Sequence, residues 1–321
     1  MTVLLSAGDL RRFLDVEASL EALRQGFSSP HAQSWPPQRI RQALPSEGSI
    51  AIILPGLLPD IPAYTVKVNA KYPGSDPAIT GVICLHDLET GRLLALLDSS
   101  TVTAWRTGLS AALATHLLAL PTATTLGIVG AGAQAALTMR GLTHLRPLKK
   151  AVIYDLELSA SRRLADAWRD REVDCVVARN LQEVTDTCDM IIAATWSRRP
   201  LLRLQDVRPG VHITSLGADE PGKAELDSAL LRDARVIVDD ADLAVTSGAL
   251  GTAGLSRETA AATLGQIITR TEPGRIREDQ RTVYTPVGLP WQDLALSWTA
   301  FQACQTDADS VQFDFLHGRD S

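Results

Sequence analysis

Residues 125–135 read Thr125-Leu-Gly-Ile-Val-Gly-Ala-Gly-Ala-Gln-Ala135. Leu126 to Val129 is a short apolar run of the kind a buried parallel strand presents. Gly130, Gly132 and Ala135 follow as G-x-G-x-x-A. The first glycine permits a tight turn and the second lets the backbone approach a pyrophosphate. The small third residue lets the next helix pack close to the strand. That helix is expected to start near Ala133 and to aim its free N–H groups and its positive dipole end at phosphate. Taken alone, the pattern also suits an ordinary glycine-rich turn. Its surroundings favour a dinucleotide. A second apolar run, Ala151 to Tyr154, ends in Asp155 about one βαβ unit later, where a carboxylate can accept the ribose hydroxyls of an adenosine. Asp155 would repel a 2′-phosphate, so NAD(H) is preferred. Arg162 and Arg163 follow and keep NADP(H) possible, although surface arginines on a helix need no such role.

Outward from this stretch, strand and helix alternate as far as about Asp240, the pattern of a doubly wound parallel sheet. A helix over 256–270, a strand at Thr282–Tyr284 and a helix from Trp291 to Cys304 follow. The chain before residue 100 reads differently. Residues 6–27 form one helix by spacing, with Ser6 or Asp9 as cap and Leu10, Phe13, Leu14, Leu20, Leu23 and Phe27 at three- and four-residue steps. After a proline-bearing loop over 28–37 come short runs: Arg39 to Leu44, Ser49 to Leu54, Ala63 to Ala70, Thr80 to Asp87 and Leu93 to Asp98. Turns such as Pro45-Ser-Glu-Gly48 and Pro73-Gly-Ser75 separate them, which indicates an antiparallel section. A helix from Thr101 to Leu120 stops at Pro121. The tail 305–321 is polar and expected to fray or dock lightly. The fold class is therefore α/β: a Rossmann doubly wound sheet over 119–286, plus an N-terminal α+β domain over 1–118 that 287–321 completes.

Composition sets the limits. A chain of 321 residues suits two domains, and 45% hydrophobic with 21% charged content is ordinary for a globular protein. The net charge of −6 disfavours nucleic acid or an anionic membrane as partner. The first residues lack a basic region followed by a long apolar stretch, and no segment reaches the length of a membrane span. A cytoplasmic location is expected. The four cysteines are scattered, as in a reduced protein, and the six histidines show no ligand spacing, so no metal is expected.

Four features outside the glycine loop carry candidate chemistry. Lys67 lies mid-strand, sharing a face with Thr65 and Asn69. That face is either solvated, or a place where a lysine binds a carboxylate or holds a lowered pKa. Arg39 and Arg41 lie two apart on one predicted strand, where a guanidinium can grip a carboxylate through two hydrogen bonds. Arg106 is expected in the first turn of its helix, against the dipole, a cost that an anion would offset. Its neighbour Thr107 can hydrogen-bond substrate or pyrophosphate. Asp219, in Leu216-Gly-Ala-Asp-Glu-Pro-Gly-Lys223, follows an apolar strand at the end where α/β folds place their sites. It can exchange protons with a substrate nitrogen or an attacking water, or serve only as a turn-forming residue.

Several stretches, in this order and spacing, resemble the ornithine cyclodeaminase/mu-crystallin family over nearly the whole chain. They are Lys67 in its strand, Asp87-Leu-Glu-Thr-Gly91 with Leu94-Ala-Leu-Leu-Asp98, and Thr103-Ala-Trp-Arg-Thr107. They continue with Gly130-Ala-Gly-Ala-Gln134, Gly217-Ala-Asp-Glu-Pro-Gly-Lys223 with Glu225-Leu226, and Gly288 with Asp293-Leu-Ala295. The resemblance implies NAD(H) or NADP(H), chemistry at the Cα–N bond of a small amino or imino acid, and a homodimer built on the N-terminal domain. It also implies roles. Arg39, Lys67 and Arg106 bind the substrate carboxylate, with Lys67 also at the imine, and Asp219 is the acid/base. Gly130, Gly132, Ala133, Gln134, Asp155 and Thr107 hold the dinucleotide, and Lys223 helps there or orders the Asp219 loop. The sequence departs from the pattern at Ile52-Ile-Leu-Pro55, where ornithine cyclodeaminases carry Glu two residues before Met-Pro. It departs again at Tyr284-Thr-Pro-Val-Gly288 and at Ala249. An imine reductase or amino-acid dehydrogenase is expected first, a cyclodeaminase second, and a non-catalytic dinucleotide-binding protein third.

Overall fold

Eight parallel strands form the sheet that the glycine stretch enters. Across the sheet they run Ala260–Thr263, Arg235–Val238, Thr282–Tyr284, His212–Ser215, Met190–Ala193, Thr125–Val129, Lys150–Tyr154 and Asp174–Val177. The chain leaves Thr125–Val129 toward one edge, then returns to build the other side. Its switch point therefore lies at the carboxyl end of Thr125–Val129 and Met190–Ala193, where Gly130 stands. Alternate strand side chains feed two apolar layers. Leu126, Ile128 and Ile153 pack with Met139 and Leu142 on one side, while Val129, Val152 and Ile191 pack with Val184 and Leu230 on the other. His212 is buried in its strand between the hydroxyls of Thr282 (2.9 Å) and Thr214 (3.0 Å). Burial pushes its pKa down to about 3, so it stays neutral.

In this computed structural model the described residues are 1–30, 39–72, 75, 79–169, 171–305, 307 and 310–314. The expected loop over 28–37, the turn at 73–75 and much of the 305–321 tail lie wholly or partly outside them. The chain divides into two units, Met1–Arg106 with Leu289–Ser321, and Thr107–Gly288. The division falls inside the helix Ser99–Leu118.

The first unit holds a seven-stranded mixed sheet in the order Gln312–Phe313, Thr2–Leu5, Leu93–Asp98, Ile79–Asp87, Ala63–Lys71, Ile50–Leu57 and Ile40–Ala43. Thr2–Leu5 was not anticipated. It pairs parallel with Leu93–Asp98, and Gln312–Phe313 docks antiparallel on its other side. The helices Val16–Ser28 and Pro290–Cys304 pack together, with the Phe27 and Trp291 rings edge to face at 4.9 Å. Gly26 makes this possible, since a Cβ there would stand 2.2 Å from the Trp291 ring.

The strand Ala63–Lys71 of this sheet reverses the usual polarity. Thr65, Lys67 and Asn69 are buried, whereas Val66 is half-buried and Val68 exposed. The register places Ile53, Val68 and Val82 in one row and Pro55, Val66 and Cys84 in the next, all on the same face. Polar side chains thus point inward and apolar ones outward, the opposite of a sheet with one wet face.

Two expected helices differ. Residues 6–27 form two helices, Ala7–Phe13 and Val16–Ser28, because a second cap intervenes. Ser6 and Asp9 close a capping box on the first, and Asp15 accepts the Ala18 N–H at 2.9 Å to start the second. The helix expected over 256–270 is a 3₁₀ turn at Arg257–Thr259, the edge strand Ala260–Thr263 and the short helix Leu264–Ile268. Pairing with Arg235–Val238 overrides the helical preference of the alanines.

Candidate active site

The dinucleotide loop is built as its glycines require. Gly130 has φ +92°, and a Cβ there would stand 2.6 Å from the Ala194 carbonyl oxygen. Gly132 caps the helix Ala133–Leu145 without a side-chain hydrogen bond, and a Cβ on it would meet nothing within 4 Å. Exposed Gly132 and Ala133 therefore front open space at a helix N-terminus, an arrangement that suits phosphate. Gly108 lies against the first turns of the same helix, its added Cβ being 2.8 Å from the Gln134 carbonyl oxygen. Next to it, the buried Thr107 hydroxyl makes no hydrogen bond among the described residues. Such an orphan fits a ligand acceptor.

Asp155 ends its strand with Oδ2 accepting the Ala131 N–H at 2.7 Å and Oδ1 accepting the Glu157 N–H at 2.8 Å. Each oxygen keeps capacity for a further donor, as a ribose diol would need. Beside it opens a cleft of about 560 Å³ lined by Tyr154, Leu156, Leu158, Arg162 and Arg179 among others. Its mixed polar and apolar walls and its size suit an adenosine. Arg163 is not among the residues lining it, while Arg179, which the sequence did not single out, is. The residues present fit a nicotinamide dinucleotide.

Asp219 stands in the loop after His212–Ser215, at the same edge of the parallel sheet, with its side chain 47% exposed. Lys223 donates to Asp219 Oδ1 at 2.8 Å, approaches Glu220 Oε1 at 3.4 Å and lies 4.5 Å from the centroid of the exposed Trp196 ring. The structure brings Lys223 to the Asp219 carboxylate. Its partners here are those of a residue that orders the loop.

In the first unit, Lys67 is 1% exposed, so the solvated-face alternative does not hold. Its Nζ lies 2.5 Å from Asp293 Oδ2 and 3.3 Å from Thr103 Oγ1. The other Asp293 oxygen accepts from Arg106 Nε at 3.3 Å, and Arg106 also reaches Gln292 Oε1 at 3.4 Å. Burial lowers the Lys67 pKa to about 8. Asp293 opposes that fall, and the Arg106 and Arg39 charges add to it. Arg39 precedes the strand Ile40–Ala43. Because Ile40 pairs with Ile53, Arg39 and Arg41 fall on the face that carries Ile52, Lys67 and Asn69. Arg106 corrects an expectation. The helix begins at Ser99, so Arg106 is beyond its first turn, and the compensating anion is Asp293 rather than something the dipole calls for. Lys67 and Arg106 share the Asp293 carboxylate, and the Arg39 charge also acts on Lys67.

The model of the ornithine cyclodeaminase/mu-crystallin family matches residues 2–307. The chain belongs to that family. This family member is 30% identical over 316 residues to a delta(1)-pyrroline-2-carboxylate reductase of Paracoccus denitrificans, covering 91% of this chain and 94% of that one. It is 35% identical over 165 residues to an L-lysine cyclodeaminase of Streptomyces rapamycinicus, covering 51% and 48%. An archaeal alanine dehydrogenase, solved as a dimer with bound NAD, superimposes with a TM-score of 0.90 at 25% identity, covering 98% of this chain and 99% of that one. Among the described residues, this member has no cluster of His, Cys, Asp and Glu that could hold a metal, and no helix long and apolar enough to cross a membrane.

Three residues of the site escaped the sequence reading of roles. Asp293 lies in the first turn of Pro290–Cys304, where an acid is unremarkable as a dipole partner, and its contact with Lys67 spans 226 residues. Trp196, in the segment between Met190–Ala193 and Arg198–Leu202, and Glu225, in the strand that follows, flank the Asp219 loop. The Glu225-Leu226 pair was visible as a motif, with no role attached to it.

Proposed function

We propose that this family member is an NAD(H)-dependent oxidoreductase acting at the Cα–N bond of an α-imino or α-amino acid, of the imine reductase or amino-acid dehydrogenase type. The observation that carries this is the inward-facing Lys67 with Arg106 on one shared carboxylate, a buried cationic pole made for a substrate anion. Arg39, Lys67 and Arg106 take the α-carboxylate and so orient Cα. Much of the rate comes from that positioning. With a pKa near 8, Lys67 holds its proton, and with it its charge, at neutral pH beside the carboxylate and the imine. Asp219 donates a proton to the nitrogen as C=N becomes C–N, and takes it back in the oxidative direction.

Thr107, Gly130, Gly132, Ala133, Gln134 and Asp155 hold the dinucleotide, which when bound supplies or accepts the hydride at its nicotinamide C4. In reduction, Cα gains that hydride and nitrogen gains one proton, and the product is the amine. An Asp219→Asn variant that still binds NADH is expected to lose about 10²- to 10⁴-fold in kcat. Full turnover by it would overturn the role.

A cyclodeaminase would need an acidic partner for a second, side-chain amine. On the face that carries Lys67, the strand Ile50–Leu57 offers Ile52 instead. The missing acid weighs for a substrate without that amine.

A homodimer completes the proposal. The outward apolar rows of the first sheet, with Val68 40% and Ile40 57% exposed, are of a kind that a second copy buries. A cytoplasmic location accords with nicotinamide chemistry and with four free cysteines.

A further inference from the structure

Asp219 stands on a short loop, half-exposed, so its position depends on what holds that loop. The loop leaves the parallel sheet at Ser215 and ends at the strand Ala224–Leu226, which pairs with Arg198–Leu202 in a separate two-stranded sheet. Glu225 is 0% exposed, and four hydrogen bonds end on it. Its Oε1 accepts the Thr195 N–H at 2.6 Å and the Thr195 hydroxyl at 2.8 Å. Its Oε2 accepts the Ser215 hydroxyl at 2.7 Å and the Gly217 N–H at 2.8 Å. Burial pushes the Glu225 pKa up, and these donors pull it down. A buried carboxylate is tolerated only when its lone pairs are met, and here two donors meet each oxygen. Gly217 is part of the fit. A Cβ there would stand 2.3 Å from the Thr195 carbonyl oxygen and 2.5 Å from Glu225 Oε1. At the far end of the loop, Lys223 joins Asp219 to the Trp196 ring. The turn at Thr195 and Trp196 therefore holds the loop at its base and at its tip. The residue before them, Ala194, lies under Gly130 of the dinucleotide loop.

We propose that Glu225 is the positioning residue for Asp219: it clamps both ends of the Asp219 loop to the Thr195 turn and thereby sets where the acid stands. This rests on Asp219 being the acid/base of the reaction. Glu225 touches neither substrate nor cofactor. It acts through Gly217, Ser215 and Thr195.

Glu225→Gln tests it. The variant keeps volume and burial, but its amide NH₂ must face two donors at one oxygen position. Three readouts are compared with wild type and with Asp219→Asn: NADH binding by fluorescence, NADH oxidation with Δ1-pyrroline-2-carboxylate, and backbone hydrogen exchange over 217–224. Expected are exchange about 10-fold faster in that loop alone, kcat lower by about 10- to 100-fold, and an NADH Kd within about twofold of wild type. Unchanged exchange would overturn the clamp. Faster exchange with unchanged kcat, while Asp219→Asn is inactive, would make Glu225 merely structural and overturn its positioning role. An active Asp219→Asn would instead remove the acid/base role, and the exchange result would still decide the clamp. Should Glu225→Gln fail to fold, Ser215→Ala removes one donor of the four and is expected to shift exchange and kcat in the same direction by less. No shift in either would overturn the proposal.

Discussion

Lys67 Nζ stands 2.5 Å from Asp293 Oδ2, both side chains all but fully buried, and the second Asp293 oxygen faces Arg106. Asp293 is thus the counterion that makes two inward cations tolerable. Removing it leaves both uncompensated, so Asp293→Ala is expected to destabilise by about 3–5 kcal/mol in urea unfolding. Asp293→Asn keeps the shape and isolates the charge. Because Asp293 raises the Lys67 pKa toward its ordinary value, the variant should move the alkaline limb of kcat/KM, expected near pH 8 in wild type, to lower pH. A limb that stays in place would show that Lys67 does not set it.

The same lysine makes stability depend on pH. Its folded pKa of about 8 lies below the ordinary 10.5. Below pH 8 both states hold the proton and the folded state carries the full cost of burying it. Between about 8 and 10.5 the unfolded chain binds more protons, so this contribution to stability rises with pH. Unfolding free energies of wild type minus Lys67→Met should climb through that window and be flat below it.

Gly130 and Gly132 should fail in different ways when changed to alanine. At Gly130 the positive φ and the 2.6 Å approach to the Ala194 oxygen make alanine a folding defect, of order 1–3 kcal/mol from backbone strain with the clash in addition. At Gly132 nothing opposes a Cβ, so Gly132→Ala should melt like wild type while NADH binds at least about 10-fold more weakly, ~1.4 kcal/mol. Calorimetry and fluorescence titration separate the two. Unimpaired NADH binding by Gly132→Ala would place the pyrophosphate elsewhere.

Asp155→Ser removes the ribose acceptor and its repulsion of a 2′-phosphate, while Arg162 and Arg179 stay in the same cleft. The ratio of kcat/KM for NADPH over NADH is expected to rise at least about tenfold, chiefly through a higher KM for NADH, by loss of charge-assisted hydrogen bonds worth about 1.5–3 kcal/mol.

Val68→Lys places a charge in the middle of the outward apolar rows. Light scattering of the wild type should give the mass of two chains, and of the variant one. A wild-type monomer would leave those rows without their proposed partner.

What the sequence made legible depends on how far apart the partners lie. The dinucleotide half could be read because strand, glycines, helix and Asp155 follow one another within about 30 residues, and each obeys local geometry. Lys67 could be read only as an alternative, since its burial is decided by the helix Pro290–Cys304 from the far end of the chain. For that reason Asp293 stands in a matching stretch of the sequence with no role legible for it. Ala260–Thr263 was mistaken for helix because alanine favours helix locally, whereas the open edge beside Arg235–Val238 decides the matter through long-range pairing. The break at Leu14 and Asp15 went unseen because the apolar spacing continues across it and only the capping contacts reveal it.

Hydride transfer reaches an imine whose carboxylate sits on Lys67 and Arg106 in the proposed reaction. The most direct test follows NADH absorbance at 340 nm with Δ1-pyrroline-2-carboxylate, Δ1-piperideine-2-carboxylate, and pyruvate with ammonia or methylamine, on wild type and Arg106→Ala. Ammonia release from ornithine and lysine with catalytic NAD⁺ is measured alongside. NADH loss matched by amine formation in wild type, with kcat/KM at least about 100-fold lower in Arg106→Ala, is the expected result. Ammonia release from a diamino acid with no net change in NADH would contradict it and make the protein a cyclodeaminase.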